Sequence, residues 1–219
     1  KSDANDNGND KAPLWFTNLV HALHAGLGII MVPNTFSFDK ILQTTDTDSS
    51  SGTIDIWWLF DDGGLTILTG YLLTKHRQFK DAKLRIMALD EIGFRDHTEM
   101  VNLVSKLRIE AEIQHVKSVD VDDKMEENEA DAVADDDEKR GHRRVLSDFA
   151  KDKIMKYKRI GRTIEKYSKD SKLCLFTMPY PRSKYEWWEY AQCIHDLTPA
   201  EIPSIFVRGT QDQVLTFCF

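Results

Sequence analysis

Thr53-Ile-Asp-Ile-Trp-Trp-Leu-Phe-Asp-Asp-Gly-Gly-Leu65 is the run that decides the fold. From Thr53 to Phe60 it is apolar and β-prone, broken only by Asp55. A short run without alternation is the pattern of a strand buried on both faces, as in a parallel sheet. It stops at Asp61-Asp62-Gly63-Gly64, where the glycines allow a sharp turn and an aspartate ahead of a helix can cap it. From Leu65 to Leu73 apolar residues recur at helical spacing. Strand, turn and helix make the first half of a βαβ unit, whose second strand follows after the crossover.

The residues downstream supply the rest of such a sheet. Lys83 to Leu89 is the next strand, with Leu84, Ile86 and Ala88 on one face. Asp96 is placed to cap a helix over residues 97–107, with Glu99 at the capping-box position and Met100, Val101, Leu103, Val104 and Leu107 as its stripe. Ala111 to Val119 is a third strand, with Ile113 in the core. His142 to Lys169 is a long basic helix whose inward stripe is Val145, Leu146, Phe149, Ile154, Tyr157, Ile160, Ile164 and Tyr167. Leu173 to Tyr180 is a fourth strand, stopped by Pro179 and Pro181; Tyr185 to Leu197 is a helix led by aromatics. Ser204 to Arg208 is a fifth strand, and Leu215 to Phe219 a short closing one. This order predicts an α/β fold: a mostly parallel sheet of five to six strands, helices on both faces, right-handed crossovers.

Upstream, Leu14 to Leu23 carries a helical stripe, Gly26 and Gly28 bracket a turn, and Leu27 to Val32 reads as a buried strand ended by Pro33. A helix feeding a strand with no elements before it reads as the tail of a preceding α/β lobe. The expected division is therefore residues 1–33 as the end of a first lobe, 34–52 as a linker, and 53–219 as a second lobe. Lys1 to Lys11 is Asp/Asn/Gly-rich and predicted to lack order. The linker is rich in Thr, Ser and Asp, with Phe36, Phe38 and Ile41-Leu42 as anchors onto a neighbouring surface. Residues 120–140 are acidic and almost free of large apolar side chains, so a mobile loop is expected there.

The 219 residues are 41% apolar and 30% charged, a globular composition. The net charge of −7 argues against a nucleic-acid footprint. No apolar run is long enough to span a bilayer, and no signal peptide is visible. The chain begins at Lys1 rather than Met, which points to a fragment. Cys174, Cys193 and Cys218 are far apart in apolar surroundings, the pattern of buried thiols in a reducing compartment.

Ligands of doubly wound folds sit beyond the carboxyl ends of the strands, at the topological switch point. That edge would carry Asp61, Asp62, Gly63 and Gly64, then Asp90, Glu91, Gly93 and Asp120, then Pro179 to Arg182. It is acidic, which opposes a phosphate, and neither a Walker loop nor a G-x-G-x-x-G run occurs. Asp61 and Asp62 read first as helix-capping and dipole-satisfying groups; the competing reading is a pair of catalytic carboxylates or Mg²⁺ ligands. Asp55 inside a strand faces a polar edge or pairs with a basic neighbour. His21 and His24 stand three apart on one helix without a third ligand, and Cys193 and His195 diverge at i, i+2. No catalytic, metal or cofactor-binding residue is assigned. Trp57 and Trp58 point to opposite faces of their strand and so pack different helix layers. Trp187 and Trp188 are split in the same way, and an exposed one of the two is an interface candidate. Arg143-Arg144-Val145-Leu146-Ser147 fits a basophilic kinase site, making Ser147 the candidate phosphorylation residue. Asp135-Asp136-Asp137-Glu138 reads first as a solvated linker; the competing reading is a docking motif.

Trp57-Trp58-Leu59-Phe60-Asp61-Asp62-Gly63-Gly64-Leu65-Thr66 resembles the strand-turn-helix signature in the cytoplasmic C-terminal domain of cation–chloride cotransporters. The Leu-Phe-Asp-Asp form is similar to the sodium-dependent branch. Lys106-Leu107-Arg108-Ile109 is similar to that family's Leu-Ser-Lys-hydrophobic-Arg-Ile segment. Ile202-Pro203, Phe206-Val207-Arg208-Gly209 and Val214-Leu215-Thr216-Phe217 resemble its closing motifs, with Ser204 and Thr210 as departures and Pro181-Arg182-Ser183-Lys184 in place of an Arg-Lys-Gly. The resemblance implies a universal-stress-protein-like lobe without transport or catalytic activity of its own. It also implies a homodimer on the cytoplasmic side of the plasma membrane, beneath the transmembrane domain of the same transporter. Regulatory kinases are further partners, and the whole protein would carry chloride with sodium, with or without potassium, in cell volume regulation. The alternative is a nucleotide-binding sensor of universal-stress type, which needs a glycine-rich phosphate loop that this chain lacks.

Overall fold

The computed structural model describes residues 12–33, 52–60, 63–89, 97–119, 148–181 and 187–210. In chain order the elements are α1 (Leu14–His24), β1 (Ile29–Met31), β2 (Thr53–Trp58), α2 (Gly64–Thr74), a 3-10 turn (Arg77–Phe79), β3 (Lys83–Leu89), α3 (His97–Lys106), β4 (Glu112–Val116), α4 (Asp148–Tyr167), β5 (Ser171–Thr177), α5 (Trp187–Leu197) and β6 (Ser204–Arg208). The six strands form one sheet in the order β1-β6-β5-β2-β3-β4. All neighbours are parallel except β1, which runs antiparallel to β6. Successive crossovers first walk outward through β3 and β4, then return past β2 to β5 and β6. The switch point therefore lies between β2 and β5.

Each central strand divides its side chains between two cores. Ile54, Ile56 and Trp58 of β2, Leu84, Ile86 and Ala88 of β3, and Leu173 and Leu175 of β5 meet Ile67 of α2 and Met100 and Val104 of α3. Trp57, Met87, Cys174, Phe176 and Phe206 on the opposite face meet α1, α4 and α5 through Phe16, Leu19, Ile160, Ile164, Tyr190 and Leu197. The two tryptophans of β2 thus serve different layers, as the period of a strand demands. Burying an Ile or Leu of this kind contributes roughly 1.5–3 kcal/mol, so β2, apolar on both faces, is the natural centre of the sheet.

Gly63 is the N-cap of α2, with φ +68°. A Cβ there would lie 2.4 Å from the Trp58 ring, so the close turn needs glycine twice over. Tyr167, read as part of the inward stripe of α4, is 38% exposed. Asp61, Asp62, Asp96, the acidic run, and the closing strand at residues 215–219 lie outside the described residues.

Leu14 to Val32 is the stretch expected to form the tail of a preceding lobe. In the structure α1 and β1 pack on the same sheet as the rest of the chain. β1 pairs with β6 through Ile29↔Arg208, Ile30↔Val207 and Met31↔Phe206, and Phe16 and Leu19 are buried in the core.

Candidate functional site

The switch point is where a doubly wound sheet offers a ligand backbone N–H groups. Here Thr177, the last residue of β5, takes them. Its Oγ1 accepts from the Leu59 N–H at 2.7 Å and from the Phe60 N–H at 2.8 Å. The chain leaving β2 is therefore tied to β5, and Gly63 lies close against the Trp58 ring. Two donors that could have faced an anion are satisfied internally by a buried hydroxyl.

At the opposite end of the sheet lies a buried ion pair. Asp55 is fully buried, and Arg85, its register partner on β3, grips it with two hydrogen bonds, Nε to Oδ1 at 2.8 Å and Nη2 to Oδ2 at 2.5 Å. Arg85 also donates to the Tyr167 carbonyl at the end of α4, and Trp57 Nε1 donates to Ser168 Oγ at 3.0 Å. The hydrogen bond to Asp55 raises the Arg85 guanidinium above its ordinary value. This bidentate geometry anchors the C-terminus of α4 to the sheet. It offers no open position for a substrate.

The cysteines behave as core groups. Burial pushes the Cys174 thiol up to about 12, and Cys193 is buried on α5 while His195, two residues on, is exposed. His21 and His24 sit in the last turn of α1, where cations suit the helix dipole. Among the described residues no group of three or more His, Cys, Asp or Glu side chains could hold a metal. Trp187 and Trp188, at the start of α5, are both half-buried, and Trp187 packs against the core. Ser147 lies outside the described residues.

A groove of about 1150 Å³ opens where α1, β1, α4 and α5 meet, lined by Trp15, Leu19, Ile29, Arg162, Ile194 and Asp196 among others. Asp196 is a buried acid among the polar residues of its wall. Its side chain is 6% exposed, its Oδ1 accepts from Gln192 Nε2 at 2.7 Å, and its carboxyl is raised by burial. Sequence reasoning passed over this wall, because its residues come from four separate elements.

At the carboxyl end of β6, buried Arg208 donates to the Met178 carbonyl at 2.8 Å and lies over the Tyr180 ring. Tyr190 Oη donates to the Pro179 carbonyl at 3.2 Å. These bonds bind the loop after β5 to β6 and α5. Arg208 was legible only as part of a closing motif, without a role.

No described helix is long and apolar enough to cross a membrane. The family model for solute carrier family 12 matches residues 32–219. The chain is 30% identical to human solute carrier family 12 member 2 over 222 residues, covering 85% of this chain and 18% of the relative. It is 30% identical to rabbit (Oryctolagus cuniculus) member 1 over 227 residues, covering 91% of this chain and 20% of the relative. Over a shorter stretch of 84 residues it is 44% identical to member 2 of Squalus acanthias, covering 36% of this chain and 7% of the relative. The chain thus spans about a fifth of the length of the curated relatives it matches. The match over most of this α/β lobe, across motifs from the β2 turn to the closing segment, assigns the chain to solute carrier family 12.

Proposed function

We propose that this lobe is a regulatory and assembly domain of a sodium-dependent cation–chloride cotransporter, on the cytoplasmic side of the membrane and C-terminal to the transmembrane domain. The whole protein then moves chloride with sodium, with or without potassium, and this lobe contributes neither transport nor catalysis. The observation that carries the reading is the internal closure of the switch point: Thr177 occupies the backbone donors that a nucleotide would need. A lobe of this family whose β2-end backbone donors are taken by its own Thr177 is suited to act through its surfaces. Homodimerisation, contact with the transmembrane domain, and kinase action at Ser147 are the partner events of this reading.

Sedimentation equilibrium of the 25.3 kDa chain over a wide concentration range tests it. A shift toward twice that mass, weakened by Trp187→Ala or Trp188→Ala, is the expected result. A strict monomer together with saturable ATP binding would replace it with the nucleotide-sensor reading.

A further inference from the structure

α4 carries a charge opposite in sign to that of the chain as a whole. Between Ile154 and Lys169 stand six lysines and arginines and one acid, Glu165, in a chain whose net charge is −7. The helix period sorts them. Ile154, Ile160, Thr163 and Ile164 are buried, and Ile160 and Ile164 reach the core shared with α1 and α5. Arg159, Arg162 and Lys166 recur at intervals of three and four, which sets them in a row along the side turned away from that core. Lys169 continues the row just past the helix end. Lys166 and Lys169 are exposed, and Arg159 and Arg162 are half-buried.

The row is held on a rigid bed. Thr163 Oγ1 accepts from the Val119 N–H at 3.1 Å, the Tyr167 carbonyl accepts from Arg85 of β3, and Ser168 Oγ accepts from Trp57 of β2. The second half of the helix is thus pinned to the sheet from three places. From Arg159 to Lys166 the cations span roughly 10 Å of helix axis. A row fixed in advance gives up little freedom when it meets a surface of the opposite sign. Between Arg159 and Lys166 there is no aromatic side chain on which a nucleic-acid base could stack. A line of cations on a straight helix fits a continuous negative surface.

We infer that this face of α4 lies on the anionic lipid headgroups of a membrane. The inference rests on the reading above that the lobe sits beside the cytoplasmic leaflet, where anionic lipids maintain a negative surface potential. Each lysine or arginine brought to such a surface strengthens binding by a factor of about five. The chain as a whole is repelled by the same surface, so binding requires that this one face be presented.

Sedimentation of this chain with lipid vesicles tests it, with phosphatidylcholine alone or mixed with about one third phosphatidylserine. The chain binds the anionic vesicles and not the neutral ones, and binding falls about tenfold or more as salt rises from about 0.05 M to about 0.5 M. Lys166→Gln/Lys169→Gln, at two exposed sites, weakens binding about 25-fold and leaves the thermal midpoint in place. Lys75→Gln/Lys80→Gln removes the same charge beside α2, on the opposite face of the sheet, and leaves binding unchanged. Equal binding to both vesicles, binding to neither, or equal losses in the two double variants would overturn the inference. So would polyglutamate binding that Lys166→Gln/Lys169→Gln abolishes while anionic vesicles stay unbound, because an acidic polypeptide would then be the occupant. The assembly reading fails separately: a chain that binds anionic vesicles yet remains monomeric in sedimentation equilibrium keeps the lipid face and loses the dimer, and a dimer indifferent to lipid does the reverse.

Discussion

Replacing Arg85 with leucine tests how the sheet tolerates its one buried acid in β2. The Asp55 carboxylate is fully buried, and both its oxygens are held by Arg85, whose own side chain is 19% exposed. Removing the guanidinium strands a charge that water cannot reach. Losses of this type run to about 3–5 kcal/mol, well above the value of a surface pair. In a domain of this size each kcal/mol moves the melting temperature by about 2–4 °C, so a fall of roughly 6–20 °C is expected. The Tyr167 carbonyl loses a donor in the same variant, which adds to the effect. Asp55→Leu should cost less than Arg85→Leu, because the released guanidinium retains some solvent. The double variant Asp55→Leu/Arg85→Leu should recover most of the loss, since two apolar groups replace a desolvated pair. Urea unfolding followed by linear extrapolation reads all three. An Arg85→Leu loss within about 0.5 kcal/mol of zero, or a double variant equal to the sum of the singles, would refute the reasoning.

Thr177→Val keeps the shape of β5 but leaves the Leu59 and Phe60 N–H groups without their acceptor; a loss of about 1–3 kcal/mol in urea unfolding is expected, and an unchanged midpoint would show that the tie is dispensable. Gly161→Ala should destabilise even though alanine is the better helix former by about 1 kcal/mol, because its Cβ would sit 1.9 Å from the Asp196 carbonyl where α4 crosses α5; a stabilised variant would mean that the helices part freely. Stability should fall as pH rises above about 9. The unfolded Cys174 thiol ionises from its ordinary 9.0 while the folded one holds its proton to about 12, so the folded state binds more protons across that window. Burial raises the Tyr190 phenol too, which adds to the same trend above its ordinary 10.0. Urea midpoints at about pH 7 and about pH 11 read the fall, and Cys174→Ala should reduce it; a midpoint that rises with pH would contradict the assignment.

The sheet was legible because its signals are local. β3 and β6 fall at Lys83–Leu89 and Ser204–Arg208, as their apolar runs predict, and the split of Trp57 from Trp58 follows from strand period alone. Strand ends were less legible. Ala111 to Val119 shrinks to Glu112–Val116, and Leu173 to Tyr180 shifts to Ser171–Thr177, because ladder pairing rather than composition sets where a strand stops. What the sequence could not supply was pairing across distance. Asp55 inside a strand leaves a polar edge and a basic neighbour both open, and only the β2–β3 register selects Arg85, thirty residues on. Thr177 looks like any β-branched strand residue until β5 is laid beside β2. The antiparallel seam at β1 was hidden for the same reason: a three-residue strand carries no mark of its direction.

Chloride-dependent sodium uptake by the proposed cotransporter, with this lobe intact or destabilised by Arg85→Leu, tests the central claim most directly. The account predicts that uptake falls, or ceases to respond to cell volume, while the membrane part remains inserted, and that Asp55→Leu/Arg85→Leu restores it. Uptake and its regulation left unchanged by a demonstrably unfolded lobe would contradict a regulatory and assembly role.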